Sequence, residues 1–188
     1  MKKYLLLILP FILLSCFAKK EVKSNSNKPS SSPLAANNDC LTPYGTWKMI
    51  EKPTLSPKMK DQKLPTIYKT YTINEATLKQ YMLQINKSKQ KEITLPTHHG
   101  CSTFTLSNSG TMSPELAAQF PEILSFQGNN IADGKETIRL DYDGSSLRAS
   151  ITNTDGTYIL DPFETKEGKY YLLFDKQHSG IPQVPYEK

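Results

Sequence analysis

No complete catalytic motif occurs in this chain. It has no His-Glu-x-x-His pair of the kind that holds zinc on a peptidase helix. Its three histidines and three cysteines crowd together only once, at His98-His99-Gly100-Cys101. Long apolar runs are missing as well. A bilayer span takes roughly 20 apolar residues, and the stretch from Tyr4 to Leu14, interrupted by Pro10, is too short for that. Surplus charge is missing where a nucleic acid would need it. The formal net charge is +5, of which Lys2 and Lys3 supply two; residues 17–38, with four Lys against Glu21, supply three, leaving residues 39–188 at zero. A nucleic-acid footprint needs Lys and Arg clustered on the folded part, so no nucleic-acid partner is expected. No internal repeat is apparent.

What is present begins with an address. Lys2 and Lys3 precede the apolar stretch in the manner of a secretory signal, and Leu13-Leu14-Ser15-Cys16 resembles the bacterial lipobox. That resemblance implies a signal peptide over 1–15, cleavage before Cys16, a diacylglyceryl group on its thiol and an acyl chain on its amine. Several chains on one residue exceed what stable anchoring requires, so the membrane is an expected partner through Cys16. Phe17, rather than Asp, follows the cysteine, which points to the outer membrane side of the cell envelope. Residues 17–38 are rich in Ser, Asn, Lys and Pro and hold little that can build a core; with Cys16 they read as a tether over 16–38.

The remaining length suits one domain, 39–174, followed by a tail, 175–188. Outside the cytoplasm, with Cys16 lipidated, the two thiols left over, Cys40 and Cys101, are expected to form a disulfide. Ile67 to Ile73 alternates like a strand. Asn74 caps a helix whose Leu78, Tyr81, Met82 and Ile85 share one face. "EITLP" and "STFTLSN" read as two strands across the turn from Thr97 to Cys101. Ser113 and Pro114 open a second, short helix that Pro121 ends, and Gly128-Asn129-Asn130 reads as a turn. Beyond it come strands separated by Asp143-Gly144, Asp155-Gly156 and Glu167-Gly168 turns. The fold class this predicts is α+β, an antiparallel sheet with about two short helices.

The order of these motifs carries a resemblance. Met112, Pro114, Glu115, Leu116, Ala117, Phe120-Pro121-Glu122, Gly128, Asp133 and Asp161-Pro162 resemble the N-terminal propeptide of secreted Bacteroidetes-type reprolysin-like zinc metallopeptidases, over about Trp47 to Phe174. In that family the propeptide precedes the catalytic domain and binds it. This chain stops at Lys188 without the zinc motif, and the resemblance therefore implies a freestanding prodomain acting on another chain.

Two functions follow. The first is a lipid-anchored inhibitor or folding partner of a secreted or envelope zinc metallopeptidase; the second is a non-enzymatic ligand-binding or assembly lipoprotein that keeps only the fold. Neither calls for catalytic residues, a metal or a cofactor. In the first, the tail "DKQHSGIPQVPYEK" lies across a protease cleft. Pro182 and Pro185 favour an extended backbone there, and His178, Ile181 and Val184 join them as candidate partner-binding residues. His98 and His99 are expected in a polar turn, since adjacent histidines seldom both face one ion. Asp141, Asp143, Asp155 and Asp161 fall at strand ends and turns and read as structural. Tyr68, Tyr71, Tyr170 and Tyr171 form either an aromatic binding face or half-buried strand positions.

Overall fold

The structure is a computed structural model that describes residues 39–51 and 63–179. Its first strands are short and turn sharply. β1 (Cys40–Thr42) pairs antiparallel with β2 (Gly45–Ile50), placing Cys40 opposite Trp47 and Thr42 opposite Gly45. The turn suits its residues: the Thr42 hydroxyl donates to the Gly45 carbonyl at 2.7 Å and accepts from the Tyr44 N–H at 3.2 Å. Gly45 takes a φ of +129°, which a side chain would resist.

β3 (Lys69–Thr72) leads into α1 (Glu75–Lys87). Asn74 caps that helix as its sequence predicts, its side-chain oxygen accepting from the Thr77 N–H at 3.1 Å. The predicted apolar face is the buried one, with Leu78, Met82 and Ile85 inside and Tyr81 packed beside them. β4 (Lys91–Thr97) and β5 (Gly100–Asn108) follow, then α2 (Pro114–Gln119) with Ser113 accepting from the Leu116 N–H at 3.3 Å. An up-and-down run completes the chain: β6 (Ile123–Asn130), β7 (Thr137–Asp143), β8 (Leu147–Asn153), β9 (Gly156–Glu164), β10 (Lys169–Asp175) and a 3-10 turn (Lys176–His178).

All strand pairs are antiparallel, in the order β1-β2-β3-β10-β9-β8-β7-β6-β5-β4. The antiparallel sheet and two helices are those the sequence predicts. With ten strands against helices of 13 and 6 residues among the described residues, however, the fold is mainly β rather than evenly α+β. The sheet curls until its end strands β1 and β4 lie against each other, which makes an almost closed barrel. Closure hides the backbone groups that edge strands would otherwise expose.

The seam between β1 and β4 is sealed by side chains. Tyr44 stacks on Tyr81, with ring centroids 4.3 Å apart. Their hydroxyls donate to β4 carbonyls, Tyr44 to Thr94 and Tyr81 to Glu92, the latter at 2.7 Å. The indole N–H of Trp47 donates to the Tyr44 hydroxyl at 3.3 Å. Pro96 supplies no N–H to that edge. The predicted disulfide is present: Cys40 of β1 is joined to Cys101 of β5, Cα to Cα 5.6 Å, across the same seam.

α1 covers one end of the barrel. Glu75 at its start accepts from the Lys169 ammonium and the Tyr171 hydroxyl, both at 3.3 Å, while Lys169 also donates to the Ser145 carbonyl at 2.7 Å. Beneath the helix, Trp47, Tyr71, Phe104, Phe126 and Tyr171 are buried with Leu78 and Met82.

The Gly128-Asn129-Asn130 turn is a correction. These three residues lie in β6, and the reversal comes after them, where Asn130 Oδ1 accepts from the Ala132 N–H and Asp133 Oδ1 from the Lys135 N–H. Gly128 answers a close approach instead: a Cβ there would sit 2.1 Å from the Thr105 carbonyl oxygen.

Candidate functional site

The end opposite α1 is the barrel's mouth. The β4–β5 and β8–β9 turns meet there, His99 Nε2 lying 3.2 Å from Asp155 Oδ2. The 3-10 turn after β10 is tied in by the Thr66 N–H donating to the His178 carbonyl at 3.0 Å.

The disulfide holds the base of the His98-His99 turn, and the two histidines part company. His98 stacks nearly parallel on Tyr158, centroids 4.5 Å apart and planes 12° apart. His99 turns to Asp155. Cys101 is committed to Cys40. Among the described residues no three His, Cys, Asp or Glu side chains gather as metal ligands.

Beside the His98–Tyr158 stack lies an open cleft of about 190 Å³. Its apolar walls come from Ile67 and Tyr68 ahead of β3 and from Leu173 and Phe174 of β10, and its charged groups are Lys69 and Asp175. Lys69 Nζ donates to the His98 carbonyl at 3.4 Å. Asp175 Oδ1 accepts from the Gln177 N–H at 2.8 Å, capping the 3-10 turn. Burial, and then the charges of Asp175 and Asp155, push the Tyr158 hydroxyl above its ordinary pKa. His178 lines the same cleft. A more polar hollow of about 210 Å³ lies on the other side of the turn, around His99, Asn130 and Asp155.

Of the candidate site residues, Cys16, Ile181, Pro182, Val184 and Pro185 lie outside the described residues. Asp175 is the last residue of β10 and His178 closes the 3-10 turn. The four tyrosines do not share a face. Tyr71 and Tyr171 sit opposite each other in the β3–β10 ladder and are buried, whereas Tyr68 belongs to the mouth. The aspartates serve local structure. Burial opposes ionisation of Asp143, but the N–H groups of Ser145 and Ser146, at 2.9 and 2.7 Å, and the charge of Lys169 outweigh it and lower its pKa. Burial raises the pKa of Asp161 despite Arg148 at 3.0 Å. Asp141 accepts from the Ser125 hydroxyl at 2.6 Å.

Sequence reasoning missed Lys69, Tyr158 and Phe174 as site residues. Each occupies an ordinary strand position, and only the pairing of β3 and β9 with β10 brings them together.

Away from the mouth, α2 buries none of its residues, and Leu116 and Phe120 are 44% and 42% exposed. This is the stretch that carries most of the propeptide resemblance. Among the described residues the fold is thus an almost closed antiparallel barrel with a helix over one end. No protein-family model matches this chain, no curated protein is detectably similar to it, and no solved structure matches it.

Proposed function

We propose that this protein is a non-enzymatic binding protein of the cell envelope, anchored through Cys16, with the barrel mouth as its recognition surface. The supporting observation is the cleft beside His98 and Tyr158, which is lined by apolar side chains and includes Ile67 at 64% exposure. An open apolar concavity with a few polar groups at its rim is the usual form of a ligand site. The lipobox supports the anchor, and among the described residues no helix is long and apolar enough to cross a membrane. The test uses the full-length lipoprotein in detergent, immobilised and exposed to envelope extract, beside an Ile67→Asp variant. Capture of the same component by both proteins would remove the mouth from the mechanism.

A second reading, the prodomain-like inhibitor or folding partner of a reprolysin-type zinc metallopeptidase, is favoured by α2. The residues carrying the resemblance there are exposed, so packing does not explain them, and Leu116 and Phe120 suit contact with a partner. Inhibition of such a peptidase by the full-length protein, weakened in Leu116→Asp or by removing residues 180–188, is the expected result. Absence of any complex with a zinc peptidase from the same envelope would reject this reading and leave the first.

A further inference from the structure

We propose that the Cys40–Cys101 disulfide is a redox latch: exchange with a dithiol at the Cys101 sulfur frees the mouth end of the β1–β4 seam, and with it the His98-His99 turn, while the barrel stays folded. The inference concerns the seam and does not depend on what the mouth recognises.

Two unlike fastenings hold the seam. β1 and β4 are the two ends of the strand order and share no ladder. Towards α1 the fastening is polar: the Tyr44 and Tyr81 hydroxyls donate to the Thr94 and Glu92 carbonyls. Gly45, at the turn after β1, lies so near the helix that a Cβ there would stand 3.5 Å from Thr77 Oγ1. Towards the mouth β4 ends in Pro96 and Thr97, and Pro96, opposite Cys101 in the ladder, has no N–H to offer the seam. Among the described residues no hydrogen bond runs from β1 to β4 there, and the disulfide to β5 is the fastening. β1 itself is three residues long and pairs on one side only, with β2, helped by Asp39 Oδ1 accepting from the Met49 N–H at 2.8 Å. A strand this short with one partner opens locally at far lower cost than the barrel unfolds.

The two sulfurs are not equally open to attack. Cys101 is an exposed residue near the start of β5, whereas Cys40 is 0% exposed. Access decides which sulfur of a disulfide a thiolate meets, so the incoming group bonds to Cys101 Sγ. The S–S bond breaks, and its electron pair leaves on Cys40 Sγ, which takes up a proton. The second thiol of the dithiol then displaces Cys101 as a thiolate, which is protonated in turn. The reductant departs as its own disulfide, and its two thiol protons end on the two cysteines. Release acts on the mouth because Cys101 anchors the turn that reaches across it. His98 stacks on Tyr158 and its carbonyl accepts from Lys69, while His99 reaches Asp155. All three contacts start from a turn whose base the disulfide holds.

The full-length lipoprotein in detergent is treated under native conditions with glutathione, a monothiol that stops at the mixed disulfide, then alkylated and mapped by mass spectrometry. At least about tenfold more adduct is expected on Cys101 than on Cys40, at a rate that rises with urea much less steeply than unfolding does. After reduction by dithiothreitol, amides of residues 39–42 and 97–101 should exchange with deuterium at the earliest time points. Those of β7, β8 and β9 should not, and the circular dichroism spectrum should hold. The NMR ring signals of His98 and Tyr158 should shift as their stack loosens. Adduct mainly on Cys40, or a rate that follows global unfolding, overturns exchange at Cys101. Early deuterium uptake throughout the barrel makes the disulfide a structural bond and no latch. Ring signals unmoved by complete reduction sever the latch from the mouth. The Cys40→Ser, Cys101→Ser double variant, with no disulfide to reduce, should show the reduced pattern with and without dithiothreitol; a pattern matching the oxidised wild type would mean that the seam closes without the disulfide and would overturn the inference.

Discussion

The hydroxyl of Tyr44 donates to the backbone carbonyl of Thr94 across the seam between β1 and β4. The same oxygen accepts from the Trp47 indole at 3.3 Å. One buried phenol thus satisfies a backbone carbonyl and an indole N–H at once. Tyr44→Phe keeps the ring and strands both partners, which should cost about 1–3 kcal/mol. A urea titration checks this: the midpoint should fall with little change in slope, and an unchanged midpoint would mean that the seam is held without this contact.

The disulfide closes the same seam from its other end. Cys40 and Cys101 are 61 residues apart, and in the chain-entropy account a loop of that length contributes about 4 kcal/mol. The Cys40→Ser, Cys101→Ser double variant should melt roughly 10 °C lower for a domain of this size. Thiol labelling of the unfolded wild-type protein should find neither Cys40 nor Cys101 reactive until a reductant is added.

Gly128 tests the tight β5–β6 contact. A methyl group there would meet the Thr105 carbonyl oxygen at 2.1 Å, and backbone does not yield as a side-chain tip does. Gly128→Ala should lose about 1–3 kcal/mol or more through overpacking, read as a drop in melting temperature. Melting at the wild-type temperature would show that the two strands have room to separate.

Alkaline pH should unfold the domain before it titrates its buried phenols. Burial, followed by the charges of Glu75 and Asp143, pushes Tyr142 up from 10.0 to about 12; burial also raises Tyr44, Tyr71 and Tyr171. A folded pKa above the unfolded one means that the native state holds its proton longer. The stabilisation is complete below pH 10 and is lost as pH rises through 12. Thermal melts above pH 10 should therefore fall with pH, less steeply in Tyr142→Phe, and tyrosinate absorbance should rise with unfolding rather than ahead of it.

Anchoring is tested by Cys16→Ala, which should move the protein from the detergent phase to the aqueous phase of an envelope extract. Partition like wild type would refute the lipobox reading.

How much of this was legible in the sequence depends on how local each feature is. α1 was readable because its signals are local: the Asn74 cap and the face of Leu78, Met82 and Ile85 fall within one helix and report its start and its buried side. The later strands were readable by alternation, and their turns by Asp-Gly and Glu-Gly pairs that accept positive φ. The disulfide followed from thiol arithmetic. β1 escaped notice because three residues ahead of Pro43 are too few to show a period, and the six of β2 alternate only at Trp47 and Met49. Gly128 misled because glycine permits a tight turn and a tight contact alike, and only the neighbouring strand says which is in force.

Strand order belongs wholly to the tertiary structure. Period 2 says which face of a strand is buried, and nothing local says that β3 pairs with β10, Tyr71 opposite Tyr171, a hundred residues later in the chain. That pairing curls the sheet, brings β1 against β4, and sets Lys69, Tyr158 and Asp175 around one cleft. The residues of the mouth are scattered along the chain because closure, a global property of the sheet, is what assembles them, whereas the helix, the turns and the thiol pair were determined by chemistry within reach of each residue's own neighbours.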